Sequence, residues 1–128
     1  MKNEPGGSDP RGTSIGTWIE ALDEKSFHMM VALAPGPMHG YAIRQEVEER
    51  TAGGVRLWPA TLYGLLSELA ERGLIEPAES PGGPDDDPRR RYYALTADGR
   101  RALGAEAARL EGLARLARLQ LTLGEAGS

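Results

Sequence analysis

The stretch 57-LWPATLYGLLSELAERGLIEPAE-79 combines an amphipathic helix with the start of a short strand. Pro59 falls in the first turn of the helix, where a missing N–H costs nothing, and Gly73 ends it. Its apolar stripe consists of Leu62, Leu65, Leu66 and Leu69. A surface helix normally carries Lys, Glu or Arg on the other side, but this one carries Ala60, Thr61, Gly64 and Ser67. We therefore expect another molecule to approach this helix closely.

Two shorter helices are predicted before this stretch. The first begins after Asp23, a favourable N-cap, and continues to about Ala34. The second begins at His39 or Gly40 and ends in the sequence TAGG at 51–54. A short glycine-containing turn separates the second helix from the third, an order typical of a helix-turn-helix.

A β-hairpin and a long helix are predicted after this stretch. The β-like runs at 74–79 and 89–96 flank a segment rich in Pro, Gly and Asp that forms a long loop. In the second run, Arg91, Tyr93 and Leu95 alternate with Arg90, Tyr92 and Ala94. Thr96 then caps the last helix. A hairpin in this position predicts the wing of a winged helix-turn-helix.

The last helix carries an apolar seam with spacings of 4, 3, 4, 3 and 4 residues. The seam consists of Leu103, Ala107, Leu110, Ala114, Ala117 and Leu121. At ~1.5 Å per residue, such a helix is longer than a domain of this size can cover. We therefore expect a partner helix along the seam, and predict a homodimer.

The predicted fold class is mainly α with a small β-hairpin. We assign 18–96 to a winged helix-turn-helix domain, 97–124 to a C-terminal dimerisation helix and 1–17 to a disordered tail. No run of 18 apolar residues occurs, which predicts no membrane span. The first residues lack the apolar region of a secretory signal, so we expect the protein in the cytoplasm.

The charge of the 128-residue chain is unevenly distributed. The formal net charge is −4, but residues 88–101 contain five Arg and one Asp, which gives them a net charge of +4. The exposed side of the third helix would fit a major groove about 12 Å wide, where small side chains let the backbone approach the bases. Thr61 and Tyr63 offer hydroxyls to bases or phosphates, and the predicted wing arginines Arg89, Arg90 and Arg91 would reach the flanking backbone.

Each of these features has a second interpretation. Ala60 and Gly64 would also let another helix of the protein pack closely, and Asp85, Asp86 and Asp87 would neutralise the arginines within their own loop. We interpret Trp58, Tyr92 and Tyr93 as core residues rather than as the lining of a ligand pocket. The two histidines, His28 and His39, are interpreted as packing or capping residues.

The sequence predicts neither an enzyme nor a cofactor. The chain has no cysteine, which excludes disulfides and thiolate metal sites. The two histidines do not form a metal-binding spacing, and no nucleophile, base and orienting group occur together. The partners that we predict are double-stranded DNA and a second copy of the chain.

Three segments resemble the PadR family of transcriptional regulators: PMHGYAIRQEVEERT, PATLYGLLSELAERGLIEPAE and RRRYYALTADGRRAL. The resemblance implies a winged-helix repressor that dimerises through its C-terminal helix, binds a palindromic operator and is often released by a small-molecule effector. It places DNA-facing positions at Tyr41, Thr61 and Tyr63 and at Arg89, Arg90 and Arg91. Ala60 and Gly64 depart from the family pattern, which has Gly before TLY and Pro after it. The single last helix resembles the smaller subgroup.

A second hypothesis is a winged-helix module that binds protein and does not bind DNA. The acidic total charge and the leucines of the last helix favour it. The local arginines and the uncharged side of the third helix favour DNA instead.

Overall fold

A computed structural model of the chain describes residues 22–83 and 86–127. They form helix α1 (Glu24–Leu33), strand β1 (Met38–His39), helices α2 (Gly40–Arg50) and α3 (Pro59–Glu71), strands β2 (Ile75–Ala78) and β3 (Tyr92–Leu95), and helix α4 (Ala97–Ala126). The predicted mainly helical fold class is confirmed. The predicted tail at 1–17 and the predicted start of the domain at residue 18 lie outside the described residues. Within the described ranges, no helix combines the length and apolar character that a bilayer span requires.

The helix ends lie where the capping residues predict them. Asp23 Oδ1 accepts from the Ser26 N–H at 2.7 Å, and Thr96 Oγ1 accepts from the Gly99 N–H at 2.9 Å. After α3, Gly73 has φ +75°, and the Leu74 N–H donates to the Leu69 carbonyl at 3.0 Å. This is a Schellman ending, which favours glycine because its left-handed backbone is strained for other residues.

The sheet differs from the predicted hairpin in two respects. It has three antiparallel strands in the order β1-β3-β2, because Met38 and His39 pair with Tyr93 and Tyr92. The segment between the first two predicted helices therefore contains a short strand, Met38–His39. The strand predicted at 89–96 begins only at Tyr92, since the Arg90 N–H donates to the Asp87 carbonyl in a turn. The arginines precede the strand instead of alternating along it.

The core lies between α1, α2, α3 and the first turns of α4. Its largest fully buried side chains include Met29, Met30, Leu33, Ile43, Leu57, Leu62, Leu66 and Leu69. Tyr93 packs against this core, as predicted. The prediction that Trp58 fills the core is wrong, because Trp58 is 57% exposed. It occupies the N-cap position of α3 and makes no side-chain capping hydrogen bond there.

Helix α4 leaves the domain after its third turn. Ala102 and Glu106 are buried, Leu103 packs partly against the core of its own domain, and Ala107 is half-buried. Every described residue from Ala108 onward is exposed within the single chain. The predicted seam residues Leu110, Ala114, Ala117 and Leu121 therefore lie on an uncovered helix.

Candidate nucleic-acid interface

A cleft of about 560 Å³ lies between the N-terminus of α2, the exposed side of α3 and the segment before β3. Five of the residues predicted to face DNA line it: Tyr41, Tyr63, Arg89, Arg90 and Arg91. They belong to three segments that are far apart in the sequence, and the fold brings these segments to one surface. The cleft also contains His39, Gly40 and Asp87, which the sequence did not identify as parts of a site. Tyr93 lines it too, so the alternative that Tyr93 lines a pocket holds alongside its packing against the core.

Tyr63 and Tyr41 project from neighbouring helices at one side of the cleft. Both are 56% exposed. A Cβ added to Gly40 would lie 3.4 Å from Tyr63 Cε1, so the Tyr63 ring rests against the first residue of α2. The Tyr41 hydroxyl accepts from Gln45 Nε2 at 3.3 Å. Both tyrosines therefore contact a neighbouring residue of the chain while remaining accessible to a bound molecule.

The side of α3 that carries Tyr63 is open in the described chain. Ala60, Gly64 and Ser67 are exposed and Thr61 is half-buried. A Cβ built on Gly64 meets no atom within 4 Å among the described residues. Within the described residues, no helix of the chain therefore packs against Ala60 or Gly64. Ala60, Gly64 and Ser67 do not line the cleft itself, but helical spacing places them on the same side as Tyr63.

The N-terminus of α3 carries no competing acid. Trp58 makes no side-chain capping hydrogen bond there, and the first turn contains no Asp or Glu. The first N–H groups of a helix attract anions, so this end suits a phosphate. Beside it, the Arg44 guanidinium lies 5.8 Å from the centre of the exposed Trp58 ring, and Arg44 Nε donates to Glu48 at 3.1 Å. The contact between Arg44 and Trp58 was not predicted. The only feature of the sequence that points to it is an aromatic residue directly before Pro59.

The three arginines before β3 differ in their partners. Asp87 accepts from Arg89 Nε and Nη2, each at 3.2 Å, and this pairing holds the pKa of the Asp87 carboxyl below its ordinary value. The interpretation that the loop aspartates neutralise the arginines is therefore right for Arg89. Among the described residues, Arg90 and Arg91 make no ion pair. Asp85 lies outside the described residues.

Asp86 connects the two ends of the loop between β2 and β3, which together form the wing. Its carboxylate accepts a hydrogen bond from Ser80 Oγ, which precedes the loop, and another from the Tyr92 hydroxyl at 2.6 Å. These two hydrogen bonds, Ser80 first, lower the pKa of Asp86, and the positive charge of Arg90 adds to the effect. Asp86 thus joins the two arms of the loop.

His39 connects the wing to the N-terminus of α2. Its Nδ1 accepts from the Ala42 N–H at 3.2 Å, which confirms the predicted capping role, and its ring meets Tyr92 edge-on at 5.3 Å. Burial lowers the pKa of His39, Arg90 lowers it further, and Asp86 opposes the shift. Because an Nδ1 that accepts a hydrogen bond must be unprotonated, the structure contains neutral His39.

We expect acid to weaken the fold through His39. A lowered pKa means that the unfolded chain takes up the proton first as the pH falls below the ordinary value of about 6.5. The stabilisation from His39 is therefore complete above that pH and is lost as the pH falls through the lowered pKa. Urea denaturation between pH 8 and pH 5 should show this loss, which His39→Asn should reduce because Asn caps without titrating. An identical pH dependence in both proteins would contradict the assignment.

Comparison with known proteins places these features in a family. Residues 29–105 match the family described as "Transcriptional regulator PadR-like family". An "Uncharacterized 37.1 kDa protein in transposon TN4556" from Streptomyces fradiae is 42% identical over 87 residues, which are 66% of this chain and 23% of that protein. The chain spans only 23% and 55% of the lengths of two curated relatives that it matches.

Solved structures share the fold. A PadR family transcription regulator from Clostridium difficile R20291 matches with a TM-score of 0.64 and 23% identity, over 77% of this chain and 99% of that one. Bacillus subtilis PadR, solved in complex with operator DNA, matches with a TM-score of 0.51 and 22% identity, over 62% of this chain and 44% of that one. At these identities the comparison establishes the architecture: a PadR-type winged helix followed by a C-terminal helix.

Proposed function

Because this chain belongs to the PadR-like family of transcriptional regulators, we propose that it binds double-stranded DNA in a sequence-specific manner. The family consists of regulators and not of enzymes. One observation carries the proposal: a single surface combines the uncharged, open side of α3 with the arginines that precede β3. The operator complex of a protein with the same fold supports it.

In the proposed complex, α3 enters the major groove with its N-terminus first. The first two turns offer Ala60, Thr61, Tyr63 and Gly64 to base edges and phosphates, and acidic residues follow only at Glu68 and Glu71. Arg90 and Arg91 contact the backbone beside the groove, where a cation gains from releasing condensed counterions. Tyr41, at the start of α2, reaches a phosphate on the side of the cleft that lies opposite these arginines. Base contacts then provide specificity and the arginines provide affinity.

The regulator is proposed to act as a homodimer on a palindromic operator. The exposed part of α4 carries the apolar seam, and Leu110 and Leu121 on it are 39% and 68% exposed. Two copies related by a twofold axis would read two half-sites about one helical turn apart. Occupying such a site in the cytoplasm would repress transcription by excluding the polymerase.

Release by a small-molecule effector is the last part of the proposal. A pocket of about 360 Å³ lies between the start of α1 and α4, with Leu22, Phe27 and Leu110 as its apolar lining. His28 and the ion pair between Glu106 and Arg109 supply polar groups. Its size falls in the range of small-molecule sites, and a ligand there would touch both the domain and the dimerisation helix.

Gly64→Glu tests the proposed function directly. We expect the variant to bind the DNA upstream of its own gene roughly tenfold more weakly or worse, because the new carboxylate would face the phosphates. The variant should nevertheless be as stable as the natural protein or more so, since Glu favours a helix by up to about 1 kcal/mol over Gly and the site is open. Gel shift and thermal unfolding of the same sample measure both effects.

Gly112→Glu is the matched control. It makes the same change of charge at an exposed, open helical position on α4, away from the cleft. Its DNA affinity should stay close to that of the natural chain. Equal affinity for the Gly64 variant would overturn the assignment of α3, and a natural chain that binds no duplex at low salt would favour the protein-binding hypothesis.

A further inference from the structure

The seam of α4 defines a heptad with charged flanks. Ala107, Ala114 and Leu121 take position a, and Leu103, Leu110 and Ala117 take position d. The flanking position e then falls on Gly104, Glu111, Arg118 and Glu125, and position g falls on Glu106, Leu113 and Gln120. In coiled coils, charges at e and g select the partner and its direction.

Two of the flanking charged residues, Glu111 and Arg118, form no ion pair with other described residues of the chain. Both are exposed. Glu106 differs, because it is buried and its carboxylate accepts from Arg109 Nε at 3.0 Å. The hydrogen-bonded ion pair with Arg109, and a further hydrogen bond that the Leu22 N–H donates to the carboxylate, lower the pKa of Glu106.

A parallel pair of α4 helices would leave these charges unmatched. In a parallel coiled coil, each g residue meets the e residue of the next heptad on the partner. Glu106 would then face the partner's Glu111, although its own carboxylate is already satisfied by Arg109. Leu113 would face the partner's Arg118. This arrangement forms no ion pair and sets two carboxylates against each other.

An antiparallel pair matches the charges. Here e residues meet e residues, so Glu111 faces the partner's Arg118, and symmetry repeats the pair. The same register sets Ala114 against the partner's Ala117 and Leu110 against the partner's Leu121. The core pairs are centred between Arg115 and Leu116, and in that register Glu111 lies within about 3 Å, along the helix axis, of the level of the partner's Arg118.

We propose that two copies of the chain associate through antiparallel α4 helices, with reciprocal ion pairs between Glu111 and Arg118 that fix direction and register. This inference rests on the proposed homodimer and specifies its geometry. It places the two winged domains at opposite ends of the helix pair, each with its cleft outside the dimer contact.

Charge reversal tests the direction of the pair. Glu111→Arg should weaken the dimer about tenfold in sedimentation equilibrium, because each of two ion pairs becomes an Arg–Arg contact. Adding Arg118→Glu should restore the natural affinity. A parallel dimer would instead tighten, since the new Arg would approach the partner's Glu106. Glu125→Arg is the matched control, because its antiparallel neighbour is the partner's Gly104, and it should leave the affinity unchanged.

A distance measurement separates the outcomes independently of charge. The chain has no cysteine, so Ala126→Cys provides one site for a spin label at an exposed position outside the seam. The antiparallel register places the two labelled backbones roughly 30 Å apart at ~1.5 Å rise per residue, whereas a parallel pair places them within about 15 Å. The short distance would overturn this inference and leave the homodimer intact. A chain that stays monomeric would overturn the homodimer and the inference together.

Discussion

Replacing Arg90 and Arg91 together by alanine is expected to weaken binding to every DNA duplex by roughly 100- to 1000-fold at physiological salt. The two side chains are exposed, line the cleft beside Tyr63 and make no ion pair among the described residues. A homodimer would therefore lose four phosphate contacts. Because each contact displaces about 0.9 counterion, the slope of log affinity against log salt should fall by about 4. Fluorescence anisotropy with cognate and random duplexes from low to physiological salt measures both quantities.

Arg89 and Asp87 provide the internal controls for that experiment. Arg89 is already paired with Asp87, so Arg89→Ala should cost less affinity than Arg90→Ala or Arg91→Ala. Asp87→Asn should strengthen binding to all sequences, because it removes a negative charge from the cleft and releases Arg89. Replacing all three arginines should lower affinity on cognate and random DNA alike. An unchanged salt slope would remove the wing from the proposed interface.

The helices and their ends could be predicted from the sequence because their determinants are local. Asp23 and Thr96 cap helices through bonds to residues three positions away, and Gly73 supplies the backbone angle that ends α3. The uncharged side of α3 was visible as well, since helical spacing alone shows which residues share a face.

The three-stranded sheet depends on contacts between distant segments, and the ion pair between Asp87 and Arg89 depends on the conformation of the loop. Strand β1 has only two residues, and its pairing with Tyr92 and Tyr93 joins positions more than fifty residues apart, so no periodic pattern signals it. The alternation of Arg and Tyr suggested a strand through the arginines, but Asp87 forms a turn with Arg89 and Arg90. Charge alone could not show which arginine Asp87 would pair with.

Trp58 illustrates the limit of composition as a guide to burial. A Trp in a small domain usually lies in the core, but here Pro59 starts α3 directly after it and the ring stays outside under Arg44. The seam of α4 shows the reverse situation. Its length predicted correctly that part of the helix extends beyond the domain, but Leu103 of the seam packs partly against its own domain because α4 begins inside the core.

Gly99→Ala is expected to destabilise the chain by roughly 3 kcal/mol, although Ala normally favours a helix over Gly. Gly99 is buried in the first turn of α4, and a Cβ there would lie 2.0 Å from the Leu74 carbonyl oxygen. That oxygen cannot rotate away, because it accepts from the Thr96 N–H at 3.1 Å. Thr96 Oγ1 also donates to the Gly73 carbonyl at 2.6 Å, so the end of α3 and the start of α4 are joined at this point.

To accept the methyl group, α4 would have to move relative to α3. Because α3 is proposed to read DNA and α4 to set the dimer, the variant should also lose operator affinity beyond the fraction that is unfolded. Thermal unfolding should show a midpoint lower by roughly 10 °C. Gly104→Ala, an exposed position on the same helix with open space around it, should instead raise stability by about 0.5–1 kcal/mol. If both variants gained stability equally, the close packing of α4 against Leu74 would be refuted.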